Sequence, residues 1–330
     1  MSVPILLFGK NGQIGAELAA QLRSGDFICP DRQQCDLAKP ANICRAIRDL
    51  RPKVIVNAAG YTRVDDAEHE EDLARAINAV APAVMAVAAR KLGALLIHYS
   101  TDYVFDGRKH SPYEEGDSPN PLNAYGRTKL ECEEAIRSAG VPHLIFRTEW
   151  VYGNHGRNFL LTILQLVTER QELGVVCDQL GAPTWSREVA PATVEVLDCI
   201  LERGKQSSRF YEAAGTFHRT AADETSWHAF AQAILEECSH RLPSARCFTA
   251  ATNGRPLVAR HVVAITTKEY PTAARRPAYS VLSSMRLREA FDIKLPDWRT
   301  QLRSVFEGAA MSGESDKHIE AVAQPSVRRS

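Results

Sequence analysis

Through the first 150 positions the chain alternates short, wholly apolar runs with stretches whose apolar residues recur every three or four positions. Ile5-Leu6-Leu7-Phe8, Phe27-Ile28-Cys29, Val54-Ile55-Val56, Leu95-Leu96-Ile97 and Leu144-Ile145-Phe146 are runs of the first kind. Apolar residues at successive positions predict strands buried on both faces; the fourth extends to about Ser100. Between them, Ile14, Leu18, Ala19 and Leu22 repeat at helical spacing, and Pro40 opens a helical stretch that ends at Leu50. Residues 71–92 are helical and Ala-rich, and residues 124–139 follow Asn123, a good N-cap. Pro82 lies inside the helix over 71–92 and predicts a break or kink, because it removes an N–H and crowds the preceding turn. Strand and helix in short alternation predict an α/β fold, a Rossmann-type doubly wound parallel sheet over residues 1–150. Ligands of such sheets bind beyond the carboxyl ends of the strands.

The second half is less regular. Helices are expected at 159–171, 186–203, 225–238, 285–291 and 297–307, and a strand at 210–213. Residues 241–278, rich in Pro, Arg and Thr, give no clear pattern. We expect residues 151–308 to form mainly a smaller α/β substrate-binding domain, with about 186–215 returning to the first. The polar residues 309–330 are expected to form a disordered tail.

Composition narrows the function classes. Lys+Arg and Asp+Glu are 40 each, so the net charge is zero. That excludes a nucleic-acid binder held by bulk charge, though not a local basic groove for a small anion. No run approaches the roughly 18 apolar residues of a membrane span, and the N-terminus lacks the pattern of a signal peptide. Eight cysteines without a C-x-x-C pair fit free thiols in a reducing cytoplasm. The ten histidines form no H-E-x-x-H or comparable zinc motif.

The chemistry is expected just after the strands. Gly9-Lys10-Asn11-Gly12-Gln13-Ile14-Gly15 joins the first strand to the first helix. Glycines there allow close approach of a pyrophosphate, and the helix N-terminus offers free N–H groups and partial positive charge. The spacing alone is weak; its place between strand and helix makes it strong. Asp31, after the second strand, is a candidate acceptor for the adenosine ribose hydroxyls, whereas the adjacent Arg32 suits a 2′-phosphate. The pair leaves NADH and NADPH both open. Asn57-Ala58-Ala59-Gly60-Tyr61 ends the third strand with small residues against which a cofactor can lie.

Tyr125-Gly126-Arg127-Thr128-Lys129 places a phenol and an ammonium four residues apart, on one helix face. Ser100-Thr101 ends the fourth strand beside them. An ammonium about 5 Å away favours the phenolate by about 3 kcal/mol at an effective dielectric near 20. Lys129 is therefore expected to bring Tyr125 into a useful acid range, while Thr101 or Ser100 holds the substrate oxygen.

Together these residues resemble the extended short-chain dehydrogenase/reductase superfamily, and within it the dTDP-4-dehydrorhamnose reductases. The resemblance runs from residue 3 to about 306. Its specific blocks are Ser100-Thr101-Asp102-Tyr103-Val104-Phe105, Trp150-Val151-Tyr152-Gly153 and Asp178-Gln179-Leu180-Gly181-Ala182-Pro183-Thr184. It implies NADPH- or NADH-dependent reduction of the 4-keto group of dTDP-4-dehydro-β-L-rhamnose to dTDP-β-L-rhamnose, for cell-surface polysaccharide. The alternatives are another extended short-chain nucleotide-sugar reductase or epimerase, and a cofactor-binding regulatory subunit without turnover.

By this resemblance Gly12, Gln13 and Ile14 contact the cofactor phosphates. Asp31, Asp36 and Leu37 border the adenosine, and Ala59, Gly60 and Tyr61 the ribose and nicotinamide. Thr101, Asp102 and Tyr103 border the sugar, on which Trp150 packs; Tyr125 donates the proton, and Lys129 tunes it and holds the ribose. Arg260, Arg275 and Arg276 are candidate partners for the nucleotide diphosphate. The family carries Ser where Glu149 stands here. Some members bind Mg2+ through carboxylates at a homodimer contact. Glu17 matches one such position, the second falls one residue out of register at Arg187-Glu188, and no third match is found.

Overall fold

The computed structural model describes residues 4–22, 27–201, 211–241 and 246–307. Strands β1 (Ile5–Phe8), β2 (Phe27–Ile28), β3 (Val54–Asn57), β4 (Leu95–Thr101) and β5 (His143–Thr148) arise where the continuous apolar runs lie. They form a sheet in the order β10-β5-β4-β3-β1-β2, with β10 (Gly215–His218) supplied much later in the chain. Every pairing is parallel, with Leu6 opposite Ile55, Ile97 opposite Leu144 and Phe146 opposite Phe217. The chain turns one way from β1 to β2 and the other way to β3. That reversal leaves a crevice at the carboxyl ends of β1 and β3, where doubly wound sheets bind ligands.

Helices cover both faces of the sheet. On one side lie α1 (Gln13–Gln21) and α6 (Ser186–Leu201), whose Leu18, Val189, Val196 and Leu197 pack on Leu7, Val56, Ile97 and Phe146. On the other lie α2 (Pro40–Leu50), α3 (Glu71–Leu92) and α4 (Ala124–Ser138), whose Ile43, Ile47, Met85, Ala89, Cys132 and Ile136 pack on Leu6, Ile55, Leu96 and Ile145. Strands β1, β3, β4 and β5 read as apolar because neither face meets water, whereas the edge strand β2 leaves Ile28 exposed.

Pro82 does not break α3. A π turn, Ala76–Val80, directly precedes it and absorbs the missing hydrogen bond and the crowded carbonyl. The same turn brings Asn78 to bear on the end of β3. This 22-residue helix is long and apolar enough, by length and composition only, to cross a membrane. Its Ala81, Met85, Ala86 and Ala89 are buried against the protein's own sheet.

A separate apolar cluster forms from residues 152–306, with Tyr152, Phe159, Leu164, Phe230 and Trp298 among its members. It draws on α5 (Phe159–Leu166), β7 (Glu172–Val176), α7 (Trp227–Arg241), α8 (Arg246–Thr252), β12 (His261–Ile265) and α10 (Trp298–Phe306). Here the elements differ more from expectation. The helix expected over 159–171 stops at Leu166, and after a turn β7, which pairs with β12, begins at Glu172. The strand expected at 210–213 lies at β10 instead, with Tyr211 and Glu212 helical and Phe210 outside the described residues. The signal was weak because β10 is an edge strand in which only Phe217 and His218 are buried. Residues 309–330, expected to form a tail, also lie outside the described residues. Short pairs β6 (Val151–Tyr152) with β9 (Thr184–Trp185), and β8 (Leu180–Gly181) with β11 (Thr225–Ser226), tie the segments after β5 together. Helix α9 (Met285–Phe291) ends near β10.

Candidate active site

The glycine loop fills the β1/β3 crevice. Gly9 has φ +88, and a Cβ there would stand 2.5 Å from the Ala59 nitrogen. A Cβ on Gly15 would fall on the Gly9 carbonyl oxygen. Both positions therefore demand glycine for steric reasons. Gly12 is the N-cap of α1 and supplies no side-chain cap, so the first-turn N–H groups of Gln13, Ile14 and Gly15 keep their anion-binding character. The Gln13 side chain turns to Val151 O (3.3 Å) and accepts from Asn158 (3.1 Å), tying the loop to the second half of the chain. Replacing Gly15 by Ala is expected to force the loop apart. Calorimetric titration should show nicotinamide dinucleotide affinity lowered by at least about tenfold, the equivalent of 1.4 kcal/mol.

The expected adenosine contacts are engaged locally. Asp31 accepts from the Gln34 N–H at 2.8 Å, while Gln34 Oε1 accepts from the Asp31 N–H at 3.0 Å. Asp36 accepts from the Ala38 N–H at 3.1 Å, and Leu37 packs partly on the sheet core. At the end of β3, Asn78 clamps Tyr61: Oδ1 accepts from its N–H at 2.7 Å and Nδ2 donates to its carbonyl at 3.0 Å. Backbone at Ala59, Gly60 and Tyr61 is thereby held against the glycine loop. The Tyr61 phenol points elsewhere, donating to Glu70 at 2.5 Å.

Ser100 and Thr101 do not share a site. Successive strand residues point to opposite faces, and Ser100 donates to buried Glu133 of α4 at 2.5 Å. Ser100 therefore belongs to a buried ion pair behind the sheet, not to the catalytic group expected from the sequence. Glu133 is fully buried and bonded by Arg147 through Nε (2.9 Å) and a terminal nitrogen (2.7 Å). Burial alone would raise its carboxyl, but Arg147 outweighs that and holds it below the ordinary range.

Thr101 is the hydroxyl beside Tyr125. It donates to Asp102 Oδ1 at 2.9 Å, and its hydrogen bond to the Tyr125 phenol offsets part of the effect of burial. Burial dominates, with Asp102 and Tyr103 adding to it, and Tyr125 is held above the ordinary phenol value. Tyr103 meets the Tyr125 ring edge-on at 5.9 Å.

Tyr125 and Lys129 share a helix face, but Lys129 Nζ donates to Tyr99 O (2.5 Å) and meets His98 Nε2 at 2.8 Å. Desolvation lowers Lys129 below its ordinary value. Burial sets the balance at the phenol, and Tyr125 is held protonated at neutral pH.

Asp102 and Glu149 form a coupled buried pair. Burial lifts Asp102 to about 7, against the hydrogen bonds of Ser280 and Thr101. Burial and the Asp102 charge hold Glu149 well above the carboxylate range. Glu149 accepts from the N–H groups of Ala182 (2.8 Å) and Leu282 (3.1 Å) and from Thr220 (3.1 Å), stapling three later segments to the end of β5. A carboxyl group raised in the folded state binds protons that the unfolded chain releases, so its contribution to stability falls as pH rises from 3.8 to about 7. In Asp102→Asn, Glu149 loses the charge that helps to raise it, so its midpoint is expected to drop and that pH dependence to flatten, as read from melts across a pH series.

The remaining candidates divide. Arg276 is buried and bidentate to Asp65 (2.8 and 3.2 Å) and also donates to Thr272 (2.6 Å), so its guanidinium braces the loop rather than standing free for a diphosphate. Arg275 and Arg260 are exposed, and the Arg275 carbonyl accepts from Asn123 at the head of α4. Trp150 has φ +46, a strained value for so large a residue, and stacks flat on Trp227 at 3.5 Å. Glu17 is raised by burial and eased by His155 and Arg187. Among the described residues no group of three or more His, Cys, Asp or Glu can hold a metal ion, so the Mg2+ suggestion gains no support.

The sequence reading overlooked Asn78, His98, Trp227 and the Glu133–Arg147 pair. The Ser100 alternation alone was open to inspection; the others depend on contacts between distant segments.

The family model described as the RmlD substrate binding domain matches residues 3–311. A dTDP-4-dehydrorhamnose reductase of Burkholderia thailandensis is 45% identical over 296 residues, covering 89% of this chain and 95% of the relative. Its Escherichia coli K12 counterpart is 40% identical over 304 residues, covering 91% and 95%. A crystal structure of the Bacillus anthracis dTDP-4-dehydrorhamnose reductase in complex with NADP superposes with a TM-score of 0.81 at 30% identity, covering 94% of this chain and all of that one.

Proposed function

The chain belongs to the family described as the RmlD substrate binding domain, and on that premise we propose that it reduces dTDP-4-dehydro-β-L-rhamnose at C4 to give dTDP-β-L-rhamnose. The observation that carries this reading is the placement of Thr101 beside the buried Tyr125 phenol, with Thr101 donating to Asp102 at 2.9 Å. Relatives 40–45% identical over nearly their whole length bear the same activity by name.

The glycine loop fits a nicotinamide dinucleotide, because Gly9 and Gly15 leave backbone room and the head of α1 is uncapped by a side chain. When bound, that cofactor supplies the hydride. The protein's own work is to hold the keto oxygen and protonate it. Thr101 fixes the orientation of the phenol and of the sugar oxygen, while Tyr125 donates its proton as negative charge develops on that oxygen. A phenol kept protonated by burial is the form a reduction needs, since the alkoxide is far the stronger base. Gln13, Ile14 and Gly15 would meet the pyrophosphate, and the Asn78-clamped backbone at 59–61 the ribose and nicotinamide. Trp150, braced by Trp227, offers a flat apolar surface to the sugar. Seven described cysteines are free, which supports a cytoplasmic setting.

The purified chain should oxidise NADPH or NADH steadily when the keto-sugar nucleotide is supplied, and not without it. Cofactor binding without turnover would point instead to a regulatory subunit.

A further inference from the structure

Behind Tyr125 lies a buried polar chain that the proposed reaction does not use directly. Asn57 Oδ1 accepts from the Ala59 N–H at 3.1 Å, which turns its Nδ2 toward His98 Nδ1, also at 3.1 Å. Nδ1 must therefore present its lone pair. His98 is 1% exposed, and burial drives its protonation well below the ordinary value. A neutral ring that accepts at Nδ1 carries its proton on Nε2. That N–H faces Lys129 Nζ at 2.8 Å and Cys132 Sγ at 3.2 Å. The Cys132 thiol is a weak acceptor, since burial pushes its ionisation up to about 12. An ammonium has no lone pair; an amine has one, and it still donates to Tyr99 O at 2.5 Å. Hydrogen bonding is complete along the chain only if Lys129 is an amine.

We propose that His98 holds Lys129 as an uncharged amine in the ligand-free protein, and that Lys129 takes its proton from solvent when an anionic dinucleotide enters the groove. His98 is thus a positioning residue that sets the charge state of the active-site lysine. Among the groups facing Lys129 the charge of Glu133 favours the ammonium, and burial outweighs it. On β4 they are His98 and Tyr99, both uncharged at neutral pH. On α4, Tyr125 and Cys132 are protonated, and the charge of Glu133 is taken by Arg147 from β5 and by Arg137. The choice of ligand rests on the reductase reading, but the protonation state of the free protein does not.

The test labels the lysine side-chain nitrogens isotopically and follows them by NMR in the ligand-free full chain, with Lys129 assigned by its absence in Lys129→Met. The expected spectrum has Lys129 as an amine at neutral pH while exposed lysines remain ammonium. In His98→Gln, whose carbonyl accepts from an ammonium, the Lys129 midpoint should rise by at least about one pH unit, a tenfold change in the amine-to-ammonium ratio. Calorimetric titration of the wild type with NADPH in buffers of different ionisation heat should show uptake of about one proton per site, and less in His98→Gln. An ammonium at Lys129 in the free wild type, which needs no variant to observe, overturns the proposal. So does an unchanged midpoint in folded His98→Gln, or NADPH binding without proton uptake. A catalytically silent chain with an amine at Lys129 would overturn the reductase reading and leave this inference standing.

Discussion

Tyr125→Phe is expected to reduce kcat by about 10²- to 10⁴-fold, the range for loss of a positioned general acid. Melting behaviour should change little. The variant keeps the ring and its edge-on contact with Tyr103 at 5.9 Å, and loses one hydroxyl beside Thr101. The loss should fall on kcat more than on KM, because the proton moves only as charge develops on the sugar oxygen. Thr101→Val should act in the same direction. It removes the donor to Asp102 Oδ1 as well as the phenol's partner, so its pH profile should shift too. A Tyr125→Phe variant at full rate would remove the proposed acid.

The second large effect is structural. Arg147→Met leaves Glu133 fully buried with only Ser100 (2.5 Å) and Arg137 (3.2 Å) to compensate its charge. Breaking a buried pair by deleting one partner costs about 3–5 kcal/mol, and denaturant melts should show that loss near neutral pH. The sign of the pH dependence follows from the same pair. In the wild type Arg147 holds Glu133 below its unfolded value, so this carboxylate contributes stability at neutral pH that is lost as pH falls through its folded value. Without Arg147 burial dominates, the carboxyl rises, and acid should narrow the gap to wild type. A loss under about 1 kcal/mol would mean that the pair behaves like an exposed one.

How far the sequence carried this account depends on where each signal resides. Four of the five apolar runs are strands dry on both faces, and each shows that without help from the rest of the chain; the edge strand β2 is apolar too, but leaves Ile28 exposed. Gly9 and Gly15 are equally local: both are glycines because backbone crosses backbone at the crevice. Strand β10 gave a poor signal because an edge strand buries only half its residues, and its weak pattern was read too early, at 210–213 rather than Gly215–His218. Pairing Ser100 with Thr101 ignored the alternation of a strand, which the sequence does display. Lys129 is the instructive case. Spacing placed it correctly on the Tyr125 face of α4, yet its charge state depends on His98, 31 positions earlier. The bidentate grip of Arg276 on Asp65 spans 211 positions and is just as silent in sequence. Glu149 stood out as a departure from the family's Ser, but its coupling to Asp102 emerged only when two distant strand ends were brought together.

The most direct measurement follows the reaction by NMR, with the purified chain, NADPH and dTDP-4-dehydro-β-L-rhamnose. The account predicts one dTDP-β-L-rhamnose formed for each reduced cofactor consumed. Unconsumed cofactor, or a product carrying the opposite configuration at C4, would contradict it.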